Sequence, residues 1–214
     1  MEQGRKKQGF IKRLFGKKQS EEKQPQSPKT AYDYSVLPEM AAILTNGNER
    51  AVSEMRLLAG DIFTFVNAHR DWCVEMDYAD FGVNPDSRQE ESLLLFGYWL
   101  TGYMATGDKS KDPAQFGAYI DWKEETDDII WNLGCADNNL GYGLGLDQIK
   151  FDYTEFTDKA LQIIGDFMSQ KGHGLVTLDT QSDCYHLFVL RGEDFERLTK
   201  LAEKVGFRFF RKFI

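Results

Sequence analysis

Apolar residues recur at helical spacing from Val52 through Met55, Leu58, Ala59, Ile62 and Phe65 to Val66, which predicts one helix with a buried face that ends near His69. Upstream, Leu37, Met40, Ala41 and Leu44 predict a short helix after Pro38, and Asn46-Gly47-Asn48 supplies a turn. Beyond His69 the period changes. Trp72, Val74 and Met76 alternate with Cys73, Glu75 and Asp77, the pattern of a short strand. Asn84-Pro85-Asp86-Ser87 forms a turn, and Ser87 with Glu90 has capping-box spacing for a helix over Arg88 to Ala105. Leu93, Phe96, Tyr98, Leu100, Tyr103 and Met104 leave that helix almost no polar side, so it is expected at the centre of the core.

The second half mixes both periods. Phe116 to Trp122 reads as a strand, with Asp121 and Glu124 spaced to cap and start a helix whose stripe is Ile129, Ile130, Leu133 and Ala136. Ala136 to Gly145, rich in Gly and Asn, reads as a loop. Phe156, Ala160, Ile163, Ile164 and Phe167 predict a further helix, with Thr154 as its cap and Gly172 past its end. Leu175 to Leu178 and Tyr185 to Leu190 predict a hairpin around the polar turn 179–183. A helix from Phe195 then stops at Gly206, and Phe207 to Ile214 reads as an edge strand. The fold class is α+β, a helix-rich N-terminal half followed by a small, mainly antiparallel sheet in the C-terminal half.

Charge divides the chain. Residues 16–30 contain no large apolar side chain and cannot offset the entropy of ordering, so residues 1–30 are expected to be a disordered basic tail and linker. Residues 31–214 are expected to form a single acidic α+β domain. The tail carries +6 and the rest −14, which restore the total of −8. So acidic a body repels phosphates, and no nucleic acid is expected to bind it. Cys73, Cys135 and Cys184 are far apart and lack CxxC spacing, which points to a reducing compartment and buried thiols rather than disulfides or zinc. Leu93 to Ala105 is shorter than the ~20 residues a membrane span needs, and the N-terminal region has no apolar signal-peptide core. A cytoplasmic location is expected, peripheral to the inner membrane face if the tail attaches there.

Three groups of residues bear chemistry. Asp179, Asp183 and His186 place three oxygen and nitrogen ligands within eight residues, which suits a metal-dependent or hydrolase-like site. The bland alternative is that the aspartates bond their own turn and His186 faces outward from a strand. Asp121, Trp122, Glu124, Glu125, Asp127 and Asp128 form an acidic run, read either as a solvated first helical turn or as a surface for a basic protein partner. In the tail, Phe10, Ile11, Leu14 and Phe15 share one helical face flanked by lysines, which would give residues 1–18 a weak contact with an anionic membrane. A purely solubilising tail is the alternative. Gly141-Tyr-Gly143-Leu-Gly145 has GxGxG spacing rather than GxGxxG and does not announce a nucleotide loop. No cofactor and no metal is expected.

Tyr119-Ile-Asp-Trp-Lys-Glu-Glu, Asp127-Asp-Ile-Ile-Trp131 and Gly174-Leu-Val-Thr-Leu-Asp-Thr-Gln-Ser-Asp-Cys-Tyr185 resemble signatures of a bacterial family catalogued as a domain of unknown function, the 6630 family. The resemblance covers about residues 55–206. It implies a bacterial, cytoplasmic origin and brings no catalytic residues. Size and charge also resemble those of immunity proteins that neutralise toxins. The leading expectation is a non-enzymatic protein-binding domain, and the other is an enzyme centred on the 179–186 hairpin.

Overall fold

Runs such as Leu187-Phe188-Val189-Leu190 and Leu175-Val176-Thr177-Leu178 are buried at successive positions, and successive strand residues face opposite ways. Such a sheet needs helices on both faces. The computed structural model, which describes residues 31–105, 113–151 and 156–211, has that arrangement. Residues 1–30, with Phe10, Ile11, Leu14 and Phe15, lie outside the described residues, as do Gly107, Thr154 and the last three positions. The described residues from Tyr32 onward form one compact unit.

Among them are eight helices and a four-stranded antiparallel sheet. Five helices come first: α1 (Leu37–Leu44), α2 (Glu49–Gly60), α3 (Ile62–Ala68), α4 (Arg70–Glu75) and α5 (Arg88–Thr101). There follow β1 (Gly117–Asp121), α6 (Thr126–Leu140), α7 (Thr157–Gln170), β2 (His173–Leu178), β3 (Cys184–Arg191), α8 (Phe195–Val205) and β4 (Phe209–Phe210). The strand order is β1-β3-β2-β4, so β3 lies between β1 and β2, and β4 is an edge. On one face Leu175 meets Gly165 of α7; on the other, Leu178 and His186 meet Gly97 of α5. α6 packs on β1, and α8 packs on α1.

The fold corrects several local expectations. The helix expected through Val52 and Val66 is two helices. Asp61 is extended and its carboxylate accepts from Thr64 N at 2.8 Å, so it caps α3 and breaks an otherwise continuous apolar stripe. The strand expected at Trp72 is the helix α4. Trp72, Cys73 and Met76 are buried and Val74 is exposed, a spacing that six residues of alternating sequence do not distinguish from a strand. Ser87 makes no cap bond; its hydroxyl donates to Glu91 at 2.6 Å rather than pairing with Glu90, and α5 ends at Thr101, capped by a left-handed Gly102, not at Ala105. α6 runs on to Leu140, through half of the expected loop. Gly141, Gly143 and Gly145 all have positive φ, and the amide of Leu144 donates to the buried Asp137 carboxylate at 2.8 Å.

Cys73 is fully buried, and burial pushes its thiol up to about 12. In the folded chain at pH 8, iodoacetamide should leave Cys73 unmodified for as long as the fold persists, as read by peptide mass spectrometry. Alkylation of Cys73 at the rate of a free thiol would mean that α4 opens readily.

Candidate functional site

Past Asp121 the chain leaves the sheet in a tight turn. Asp121 Oδ1 accepts from Lys123 N at 2.9 Å, and the Asp121 carbonyl accepts from Glu124 N at 3.0 Å. This turn sends Trp122 outward, where it is 52% exposed. Two bonds tie the turn to its surroundings: Trp122 N donates to the Asp183 carbonyl at 3.3 Å, and Thr157 Oγ1 donates to the Glu124 carbonyl at 3.3 Å. The turn, residues 149–151 and the start of α7 thus border an open cleft of about 1200 Å³, to which β3 contributes Tyr185.

The lining is acidic and aromatic. Glu124, Glu125, Asp127 and Asp158 face Lys123 and Lys150, a surplus of two negative charges. Asp127 and Asp158 stand in the first turns of α6 and α7, where negative charge interacts favourably with the helix dipole. The Tyr185 phenol is raised, first by desolvation and then by the Asp158 carboxylate. Phe156 is 80% exposed, and Lys123 Nζ stands 4.3 Å from the Trp122 ring centroid. Exposed rings beside carboxylates suit a cation, which gains from both the ring quadrupole and the charge.

Four residues of the acidic run, Trp122, Glu124, Glu125 and Asp127, line this cleft. Asp121 is engaged in the turn, and Asp128, although exposed, is not part of the lining. The sequence reading missed Phe156, Asp158 and Tyr185, which come from other segments. It assigned Phe156 to the buried stripe of a helix, whereas Phe156 precedes the first residue of α7 and projects into solvent; the buried stripe is Ala160, Leu161, Ile164 and Met168. A large aromatic just before Thr157-Asp158 is the one signal that could have placed it.

Asp179, Asp183 and His186 do not share surroundings. Asp179 accepts from Arg208 at 2.6 Å and from Gln181 N at 3.1 Å, and Asp183 is exposed at the turn. His186, rather than facing outward, is fully buried against α5. Its ring contacts Tyr98 and Tyr119 at centroid distances of 4.8 and 5.3 Å. It approaches the Gly97 backbone, whose carbonyl accepts from Thr101 Oγ1 at 2.9 Å, and among the described residues neither ring nitrogen has a hydrogen-bond partner. Desolvation holds this imidazole down to about 4. Among the described residues no three His, Cys, Asp or Glu side chains are grouped to hold a metal ion, and no helix is long and apolar enough to cross a membrane.

Comparison with known proteins gives one match. No curated protein and no solved structure matches the chain. The family profile described as a domain of unknown function (DUF6630) matches residues 37–213, from the start of α1 past β4 and beyond both ends of the 55–206 resemblance. With all eight described helices and all four described strands covered in this way, the chain belongs to the DUF6630 family.

Proposed function

We propose that the domain is a binding module that docks a basic protein partner in the cleft between the β1–α6 turn and the start of α7. The observation that carries this reading is the convergence of Glu124, Glu125, Asp127 and Asp158 with the exposed rings of Trp122 and Phe156 around one open cavity. Carboxylates there steer a cationic surface toward the cleft, and the rings supply apolar area once it arrives. The hairpin enzyme reading has less support, because a buried imidazole cannot meet a substrate together with Asp179 and the exposed Asp183.

The test is kinetic. A partner recovered with the full chain from its native cells should associate more slowly as salt rises while its dissociation changes less. Glu124→Lys, Glu125→Lys and Asp127→Lys together should cut the association rate by about tenfold or more at low salt. An association rate unchanged by that triple reversal would remove the cleft from recognition.

A further inference from the structure

We infer that the partner presents a lysine or arginine side chain to the Trp122 ring, in the position the Lys123 ammonium now holds, so that Lys123 is a built-in competitor for the ligand cation. This deepens the cleft reading and rests on it.

Lys123 has carboxylates for neighbours along the chain, yet among the described residues its ammonium is in no ion pair and lies over Trp122 instead. Nor, among those residues, does any of Glu124, Glu125, Asp127 or Asp158 form an ion pair. The cleft therefore holds four carboxylates that form no ion pair among the described residues, a surplus of two negative charges over its lysines, and one ring whose face is already matched to a cation. An ammonium on a four-carbon stem is mobile and strongly hydrated, so an exposed Lys–Trp contact is readily exchanged. A lysine or arginine from a peptide segment that also meets the four carboxylates makes more contacts than Lys123 can. Displacing Lys123 frees the ring and moves a like charge away from the incoming one. Phe156, at the α7 side of the same cleft, offers a second ring for the segment's next side chain.

The experiment is calorimetric titration of the full chain with an acetylated, amidated hexalysine peptide at low salt. Trp122 and Lys123 are both exposed, so substitutions there leave the core intact, as circular dichroism should verify. Trp122→Leu, which changes no charge, should weaken binding about two- to fivefold, the range expected of an exposed cation–π contact. Lys123→Met should tighten binding, and by a larger factor with Trp122 present than in the Trp122→Leu background. Equal factors in both backgrounds, or full affinity after Trp122→Leu, would overturn the inference. In that event, loss of binding in the Glu124→Lys, Glu125→Lys, Asp127→Lys variant would leave the acidic cleft standing as a docking site. Hexalysine bound equally by all variants, or by none including the unaltered chain, would overturn both.

Discussion

Between pH 6.5 and about 4 the folded chain should lose about 3 kcal/mol of stability through one side chain, His186. The unfolded imidazole takes a proton near pH 6.5, whereas the folded one, enclosed by Gly97 and Tyr98 of α5, Tyr119 of β1 and Leu178 of β2, is held down to about 4. Desolvation also raises the phenols of Tyr98 and Tyr119, so neither supplies a negative charge to balance an imidazolium. Between the two values the unfolded chain binds more protons, and stability therefore rises with pH. It is fully present above pH 6.5, falls as the pH drops toward 4, and levels off below. Urea midpoints at pH 7.5 and 4.5 should show the unaltered chain losing about 2–3 kcal/mol more than His186→Leu. At pH 7.5 that variant should be at least as stable as the original, since it removes two buried nitrogens that have no hydrogen-bond partner among the described residues. Parallel losses in the two proteins would show that the imidazole is protonated in the fold as easily as in water.

Gly97→Ala should destabilise the protein by about 1–3 kcal/mol, although alanine is the better helix former by about 1 kcal/mol. The reason is space. A Cβ at this position in α5 would stand 2.8 Å from His186 Nδ1 and 3.2 Å from Leu178 Cδ2, and the fully buried ring has nowhere to retreat. In a chain of this size the melting temperature should fall by roughly 2–4 °C for each kcal/mol. In a His186→Val background, which withdraws the ring, the same substitution should cost measurably less. A Gly97→Ala protein that melts with or above the original would mean that α5 shifts on the sheet without penalty.

The same contact marks where the sequence was legible. Period and punctuation were sufficient for α1, α8 and the β2–β3 hairpin, because each is a short apolar pattern bounded by Pro, Gly or a polar turn. They failed at Asp61, where a capping carboxylate interrupts a stripe that looks unbroken, and at Trp72, where six residues fit either period. His186 was misplaced because strand alternation reads a polar residue as outward, and a sheet buried on both faces has no outward side at β3. The cleft was half legible. Its acidic side is contiguous in sequence and could be nominated, but Phe156, Asp158 and Tyr185 reach it only through the pairing of β3 with β1 and the bond from Thr157 to the turn.

The strand order also bears on how the chain is made. Gly117 of β1 pairs with Phe188, so a ribosome that has released β1 must add roughly 70 residues before its partner exists, several seconds at about 5–20 residues per second. During that interval Ala118 and Ile120, both fully buried in the finished fold, have no strand to join. The β2–β3 hairpin closes locally once β3 is complete, whereas β1 has to be kept and docked late. Newly made chains that stop between α7 and β3 would carry β1 as an unpaired, apolar strand, so translational pausing in that interval should favour self-association.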